Sequence, residues 1–278
     1  MGICSLARAK TKRNLNHRRC VLRRLFSENG EHMTDFTIAL AGKKIRICGL
    51  YDYAREYCGD YLTEGEPDVT VTVTPGDIAY EQARSAREDE VEGIPVRQFS
   101  EDYLETLAIY RKIVEKLLAY DILLFHGSAI SVDGEGYLFT AKSGTGKSTH
   151  TRLWRQRFAD RCITVNDDKP LLWVTQDAVL VCGTPWDGKH HLSTNTMVPL
   201  KAIVRLERGE RNEIEPLSVS AAMPTLLQQS YRPSDPAALS RLLILLDRMT
   251  KKIGLYRLKC NMDPEAAQVA YDGMQRKE

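Results

Sequence analysis

The sequence predicts an α/β protein with a smaller α+β unit on its N-terminal side. Three observations lead to this fold class: a strand, a glycine-rich loop and a helix in succession at 137–158, a series of short apolar strand segments between 122 and 206, and period-two segments between 36 and 74. With 278 residues, 43% of them hydrophobic, the chain can bury one large or two modest cores. We divide it into a leader at 1–32, a small α+β domain at 33–115 and a larger domain at 116–278.

The leader is defined by its charge. Residues 1–27 contain eight basic and no acidic side chains, which leaves 31 basic against 37 acidic residues in the remainder. Such a segment can be a nucleic-acid arm or a membrane-surface patch, but we interpret it as disordered and expect no nucleic-acid partner. Met33 is an alternative natural start of the protein.

Composition excludes several function classes. No window approaches the roughly 18 apolar residues of a membrane span, and the N-terminus lacks a signal-peptide apolar core. The seven cysteines are scattered and form no C-x-x-C pair, which favours reduced thiols over disulfides or a zinc site. We therefore expect a cytoplasmic protein without a membrane partner, and leave open whether it forms a homo-oligomer.

The small domain begins with a predicted hairpin, Phe36–Leu40 and Lys44–Leu50, around Gly42. Residues 68–74 alternate valine and threonine, as a half-buried strand does. Residues 75–100 are rich in charge and predict only surface elements. A helix with one apolar stripe is predicted after Ser100, to about Tyr120.

The larger domain is predicted to contain seven strands and two late helices. The strand segments are 122–125, 129–132, 137–140, 162–165, 171–174, 179–182 and 200–206. Asp235-Pro236 and Asp263-Pro264 each predict a capping carboxylate before a proline at the first helical position.

The glycine-rich loop has the composition of a phosphate-binding site. In "YLFTAKSGTGKSTHTRLW", residues 137–154, glycines let successive N–H groups surround an anion at the N-terminus of the following helix. Lys147 is predicted to reach the outer phosphates of ATP and Ser148 to ligate Mg²⁺. Ala141 replaces the first glycine of the usual pattern. The predicted nucleotide-binding residues are Ser143, Gly144, Thr145, Gly146, Lys147, Ser148 and Thr149.

A carboxylate pair follows the strand after this helix. Asp167 and Asp168 lie just beyond the predicted strand at 162–165, and ligands of α/β sheets bind at the carboxyl ends of strands. One carboxylate would hold Mg²⁺ and the other would orient or deprotonate an attacking hydroxyl, although a plain surface turn is the alternative. His126, at the end of an apolar strand, is by itself more typical of a structural histidine.

These residues together resemble a known family. His126-Gly127 at a strand end, the Ser-Gly-Thr-Gly-Lys-Ser loop and the Asp167-Asp168 pair are similar to the HPr kinase/phosphorylase and ATP-dependent phosphoenolpyruvate carboxykinase superfamily, over roughly residues 120–210. The resemblance implies a P-loop core of that type and places His126 near the transferring phosphate. It implies that Lys147 binds the β and γ oxygens, and that the two aspartates share metal binding and acceptor activation.

Departures from the family indicate the subgroup. The stretch "LVCGTPWDGKHHLSTN" replaces the Arg-Gly signature of bifunctional HPr kinases, and the chain is too short for the carboxykinase substrate domain. The remaining resemblance is to small HPr-kinase-like proteins, some of which phosphorylate a serine of a peptide. Lys189, His190 and His191 would meet nucleotide or acceptor, or form a solvated basic loop.

The predicted function is a Mg-ATP-dependent kinase acting on a hydroxyl, with a serine of a peptide or small protein as the first acceptor considered. A small-molecule alcohol kinase and a non-catalytic nucleotide-binding regulatory module are the alternatives. A carboxykinase would need an arginine-lined oxyacid pocket, which the sequence does not identify.

Overall fold

The computed structural model describes residues 33–142, 144–188 and 190–275. The predicted leader and two of the predicted site residues, Ser143 and Lys189, lie outside these ranges. The described chain separates into two units, one with residues 33–38 and 45–109 and the other with residues 39–44 and 110–275.

The first sheet has three strands in the order β1 (Thr34–Leu40), β2 (Lys43–Gly49) and β3 (Val69–Thr72). Ala41 and Gly42, both at positive φ, make the tight turn of the predicted hairpin, which is confirmed. β3 pairs with β2 in parallel and buries its valines while its threonines face outward. The period-two pattern at 68–74 therefore predicted both the strand and its buried face.

Three helices accompany this sheet in the chain: α1 (Tyr53–Tyr57), α2 (Pro75–Glu92) and α3 (Glu101–Leu117). α3 confirms the predicted helix, and a 3₁₀ turn at Leu118–Tyr120 follows it. The surface elements predicted at 75–100 include α2, a helix of 18 residues that buries only Ile78, Glu81 and Asp89; the pattern did not identify it as a helix. Its start is marked by Pro75 and by Asp77, which accepts hydrogen bonds from the backbone N–H and the hydroxyl of Thr74 at 2.9 and 2.7 Å.

The second sheet is mixed and has nine strands. Its path is β4-β8-β9-β10-β6-β5-β7, with β12 paired to β10 and β11 paired to β12. All seven predicted strands are present; β11 and β12 were not predicted. The bounds are β4 (Ile122–Leu124), β5 (Ser128–Val132), β6 (Glu135–Thr140), β7 (Cys162–Asn166), β8 (Leu171–Val174), β9 (Val179–Cys182), β10 (Met197–Arg208), β11 (Glu213–Pro216) and β12 (Gly254–Cys260).

The position of β5 determines where the loop and the carboxylate pair meet. β5 is antiparallel to β6 on one side and to β7 on the other. β6 and β7 therefore run in the same direction and end at the same edge of the sheet. The connection between them contains α4 (Lys147–Phe158), so the start of α4 and the residues after β7 lie at this edge.

Helices cover both faces of the second sheet. α4 buries Leu153, Trp154 and Phe158 in one core with residues of α7 (Glu265–Gln275). The other core contains residues of α5 (Val219–Gln229) and α6 (Pro236–Thr250), among them Leu226 and Leu242. The unit is thus a mixed sheet between two helical layers, the arrangement expected of an α/β protein.

The two predicted aspartate caps had different outcomes. The Asp235 carboxylate accepts from the N–H of Ala238 at 2.8 Å and caps α6, as predicted. At the other site α7 begins at Glu265, and the Asp263 carboxylate accepts instead from the side-chain amide of Asn261 at 2.7 Å. Asn261 competes for the carboxylate there, so the prediction of a second aspartate cap was wrong.

Two expectations drawn from composition can be compared with the described residues. The five cysteines among them are free thiols, as predicted: Cys48, Cys58, Cys162, Cys182 and Cys260. In the same part of the chain, every helix falls short of the length and apolar character that a bilayer crossing requires.

Candidate active site

The glycine-rich loop joins the end of β6 at Thr140 to the start of α4 at Lys147. Gly144 has φ of 73° and Gly146 has φ of 120°, a region that side-chain-bearing residues rarely adopt. Glycine at these two positions lets the chain turn directly into the helix. Arg208, at the end of β10, donates from Nη2 to the carbonyl oxygen of Gly144 at 2.7 Å and ties the loop to the sheet.

Lys147, Ser148 and Thr149 form the first turn of α4, where backbone N–H groups lack partners within the helix. Burial lowers the pKa of Lys147, and the charge of Asp168 partly offsets this effect. A partly desolvated lysine beside free N–H donors and a helix N-terminus suits an anionic ligand. Phosphate binding at this turn stays a prediction.

Asp168 lies on the side of the turn that faces His126. Nε2 of His126 is 3.2 Å from Oδ1 of Asp168, and Nζ of Lys169 is 3.8 Å from Oδ2. Burial raises the pKa of Asp168, but the hydrogen bond from His126 and the charges of Lys169, His126 and Lys147 outweigh burial, and the net shift is downward. The carboxylate is therefore ionised at neutral pH. The structure brings together His126, Lys147 and Asp168, three of the residues that the family resemblance implies for the catalytic site.

His126 is positioned through its backbone. Its N–H donates to the carbonyl oxygen of Gln229 at 2.7 Å, and its own carbonyl oxygen accepts from the hydroxyl of Thr140 at 3.1 Å. The next residue, Gly127, donates its N–H to the carbonyl oxygen of Asp168 at 3.0 Å. These bonds join the chain entering β5 to the turn after β7, and the imidazole, 42% exposed, remains accessible to a ligand.

Asp167 has a different environment from its neighbour. It is 7% exposed, and its Oδ1 accepts from the N–H of Gly188 at 2.6 Å. Burial raises its pKa; the Gly188 bond opposes the change, and the charges of Asp187 and Asp168 add to it. A β carbon on Gly188 would lie 2.8 Å from Oδ2 of Asp167, so this close approach requires glycine. Two consecutive carboxylates thus have pKa values shifted in opposite directions.

Asn166, the last residue of β7, fixes the turn that carries both aspartates. It is fully buried, and its Oδ1 accepts from the N–H groups of Asp168 and Lys169 at 2.9 and 2.7 Å. Its Nδ2 donates to the carbonyl and hydroxyl oxygens of Thr184 at 3.1 and 3.0 Å and to the carbonyl oxygen of Trp186 at 3.3 Å. One amide therefore connects the aspartate turn to the segment after β9.

That segment, described at 183–188 and 190–193, is held by ring stacking on α3 and by hydrogen bonds of its own. The ring of Trp186 stacks on Tyr110 with centroids 4.3 Å apart and an interplanar angle of 1°. Asp187, with a side chain 5% exposed, accepts from the hydroxyl and the N–H of Ser193 at 2.8 and 3.1 Å. Its other oxygen lies 2.9 Å from Nδ1 of His191. The sequence left His191 open between a nucleotide or acceptor contact and a solvated basic loop; in the structure its exposed ring pairs with Asp187 of the same segment.

A cavity of about 450 Å³ opens beside the first turns of α4. It brings the Ser148 hydroxyl, the Asp167 carboxylate and His190 together, whereas larger cavities of about 480 and 550 Å³ are lined by none of the predicted site residues. The lining residues are Ser148, Thr149, Thr151, Arg152, Arg155, Asp167, His190 and Leu192. His190 lines this cavity and His191 does not, while Lys189 lies outside the described residues.

The donor set of the cavity fits a hard cation that retains other ligands. Asp167 offers a carboxylate and Ser148 a hydroxyl without a hydrogen-bond partner in the described ranges. No group of three or more metal-ligating His, Cys, Asp or Glu side chains occurs among the described residues. Mg²⁺ in phosphoryl-transfer sites uses one or two carboxylates, with substrate phosphates and water as further ligands. The residues present therefore fit Mg²⁺ bound together with a nucleotide.

Several residues of this site were not identified from the sequence. Asn166 and Thr184 are buried polar residues, and the bonds from Asn166 to Thr184 and Trp186 span 18 and 20 positions, which no local pattern marks. Arg152 and Arg155 of α4 also line the cavity. The two arginines lie four and seven residues after Ser148, and residues at these spacings share one face of a helix. The sequence therefore contained a signal for them.

The comparisons with known proteins give a family and a distant structural likeness. A family model described as ScmC: SynChlorMet cassette protein ScmC matches residues 96–264, which include the loop, both aspartates and His126. No curated protein matches the chain. An HPr(Ser) kinase/phosphatase from Coxiella burnetii is similar in structure with a TM-score of 0.32 and 10% identity, over 54% of this chain and 94% of that one. The matching family model is not an HPr kinase model, and so low a TM-score carries no argument about chemistry.

Proposed function

The chain belongs to the family of SynChlorMet cassette protein ScmC, and from its site geometry we propose that it is a Mg-ATP-dependent kinase. The acceptor is a hydroxyl, and a serine of a peptide or small protein is the leading candidate. The proposal is based mainly on one observation: the side chains of two adjacent aspartates lie in different surroundings. Asp167 shares a cavity with Ser148, while Asp168 faces His126 and the charge of Lys147.

The nucleotide phosphates are assigned to the turn between β6 and α4. The N–H groups of Gly144, Gly146 and the first turn of α4 would donate to an anion there, and Lys147 adds a point charge. The N–H of Thr145 already donates to the carbonyl oxygen of Lys142 at 3.2 Å. Mg²⁺, held by Ser148 and Asp167 with phosphate oxygens, would neutralise charge on the outer phosphates.

Asp168 is assigned to the acceptor. Its lowered pKa keeps it ionised at neutral pH, so it can accept a hydrogen bond from the attacking hydroxyl and orient it. His126 donates to Asp168 and holds the carboxylate in place, and Lys147 lies close enough to balance its charge. Phosphoryl transfer depends mainly on such positioning and electrostatic stabilisation, because the transition state requires little covalent chemistry from the protein.

Cavity size favours a second candidate, a kinase of small alcohols. A volume of about 450 Å³ lies within the range of small-molecule sites, roughly 300–1,000 Å³. The candidate differs from the first only in the acceptor.

The two assigned roles can be tested with conservative variants. Asp168→Asn should keep near-normal ATP affinity and lose about a hundredfold or more in turnover, the scale of a positioned proton acceptor. Asp167→Asn should require more Mg²⁺ for half-maximal rate. Asp177→Asn, an exposed aspartate outside the cavity, is the matched control and should behave like the parent.

Slow ATP hydrolysis serves as the first assay because water can replace the acceptor hydroxyl. Phosphorylation of serine-containing peptides is the second assay. Hydrolysis and peptide phosphorylation that survive in both aspartate variants would refute the assignment. Tight ATP binding by the parent protein without any turnover would instead favour a regulatory nucleotide-binding module.

A further inference from the structure

Two arginines extend the candidate site along α4. Arg152 and Arg155 line the same cavity as Ser148 and Asp167. They lie four and seven residues after Ser148, which places all three on one face of the helix. At 1.5 Å rise per residue, their Cα atoms are displaced about 6 and 10 Å along the axis from Ser148.

Both guanidinium groups have donors available for a ligand. Arg152 is exposed and makes no hydrogen bond or ion pair to any residue that the structure describes. Arg155 is half-buried, and a single long bond, from Nη1 to the hydroxyl of Thr164 at 3.4 Å, occupies one of its five N–H donors. Asp167 is the one carboxylate among the described residues that line the cavity, against the two guanidinium groups. The cavity therefore contains more fixed positive charge than its own residues neutralise.

The nucleotide does not account for these arginines. Its phosphates are assigned to the N–H groups that precede and begin α4, whereas Arg152 and Arg155 lie one and two turns further along the helix. Arginine presents a planar fork of donors that matches a carboxylate, and its charge is permanent at every physiological pH. A second anionic group, separate from the nucleotide, fits this part of the cavity.

We propose that the acceptor carries an anionic group near the hydroxyl that is phosphorylated, and that Arg152 and Arg155 bind this group. The inference rests on the proposed kinase function and specifies its substrate class. For a peptide, one extended residue spans about 3.3–3.6 Å, so displacements of about 6 and 10 Å correspond to an aspartate or glutamate two or three residues from the serine. A small hydroxy acid would offer the same chemistry in one molecule.

Binding of defined peptides to the full chain tests the proposal. Nine-residue peptides with a central serine in an alanine-glycine background would carry aspartate, lysine or no charge two and three positions from the serine. Their Kd is measured by fluorescence anisotropy with Mg²⁺ and a non-hydrolysable ATP analogue, and phosphate transfer is measured separately with labelled ATP. Glycerate as a competitor distinguishes a small hydroxy acid from a peptide source. We expect the aspartate peptides to bind about tenfold or more tightly than the neutral ones, with a preference that shrinks as salt is raised.

Arginine variants identify the residues responsible. Arg152→Gln should abolish most of the preference for aspartate without changing affinity for the ATP analogue, and Arg152→Glu should transfer the preference to the lysine peptides. Arg155→Gln should act in the same direction. The matched control is Arg157→Gln on the same helix, because Arg157 lies outside the cavity lining and donates to Gln268 at 2.8 Å. Its preference should equal that of the parent.

The outcomes separate this inference from the proposed function. Equal Kd values for aspartate and neutral peptides, or a preference that survives in Arg152→Gln and Arg152→Glu, would overturn the inference even if phosphate transfer occurs. If aspartate peptides bind in an arginine-dependent way but no phosphate is transferred, the anion site is supported and only the proposed kinase activity is contradicted. A glycerate inhibition constant far below the peptide Kd would assign the site to a small hydroxy acid.

Discussion

Replacing Asn166 by alanine should destabilise the protein and disorganise the aspartate turn. The orientation of its side chain is unambiguous, because Oδ1 faces two N–H groups and Nδ2 faces carbonyl and hydroxyl oxygens. Alanine leaves the N–H groups of Asp168 and Lys169 without their acceptor. The carbonyl oxygens of Thr184 and Trp186 each lose one of two donors, because the hydroxyls of Ser193 and Thr184 still donate to them.

The magnitude follows from counting the groups left unpaired. An unsatisfied buried donor costs about 1–3 kcal/mol, and the lower end applies here because Asp168 and Lys169 are only half-buried. Two amides at roughly 1 kcal/mol each, with roughly 1 kcal/mol for the oxygens that lose the Nδ2 donor, give a free-energy loss of about 3 kcal/mol. That is a large part of the roughly 5–15 kcal/mol that stabilises a typical domain.

Urea denaturation followed by tryptophan fluorescence measures this loss, and Trp186 reports on the segment that Asn166 contacts. Asn212→Ala is the matched control, since that side chain accepts one hydrogen bond, from the N–H of Asn261 at 3.1 Å, and should cost under about 1 kcal/mol. Asn166→Asp retains the acceptor but places a negative charge against two carbonyl oxygens, so it should be as unstable as the alanine variant at neutral pH. A loss below about 1 kcal/mol in Asn166→Ala, with unchanged turnover, would refute the role given to this amide.

Three further predictions concern other parts of the same unit. Lys147→Ala should abolish measurable binding of Mg-ATP in calorimetry, because no other charge replaces the ammonium group, and unchanged affinity would remove the phosphate assignment. Gly188→Ala should displace the Asp167 carboxylate, which lies 2.8 Å from the added carbon, and reduce turnover more than stability. Burial acts to raise the pKa of Asp121, but two arginines of α6 outweigh burial and lower this pKa from its ordinary 3.8. The ion pairs with these arginines therefore stabilise the fold above pH 3.8, and this stabilisation is lost as the pH falls further. Asp121→Asn should therefore cost about 1–2 kcal/mol at pH 7 in urea melts, a difference that shrinks toward pH 3; a constant difference would contradict this account.

Sequence patterns predicted those features that depend on neighbouring residues. The valine-threonine alternation identified β3, and the Asp235-Pro236 pair identified the start of α6. The helix α2 was missed because its apolar stripe is weak, although Thr74, Pro75 and Asp77 carried a capping signal. The many charged residues made α2 difficult to predict, although the capping residues at its start were present in the sequence.

The site itself was predictable only in part. Strand order after a glycine-rich loop was enough to expect Asp167 and Asp168 near the start of α4, because strands that run in the same direction end at one edge. The contacts that distinguish the two aspartates come from His126 and Gly188, 42 positions before Asp168 and 21 after Asp167. Such distant pairings depend on sheet topology, which one sequence does not specify.

The topology also explains why one turn can carry two unlike carboxylates. Asn166 fixes the backbone of the turn, so its two aspartates meet different partners: Gly188 and the cavity on one side, His126 on the other. Burial raises the pKa of Asp167, whereas the hydrogen bond from His126 and nearby positive charges lower the pKa of Asp168. A cation bound beside Asp167 would lower the pKa of that carboxylate. The pKa of Asp168 would still be set by its own positive neighbours. Exchanging the two environments would require moving whole strands, and for this reason the roles proposed for the two aspartates are not interchangeable.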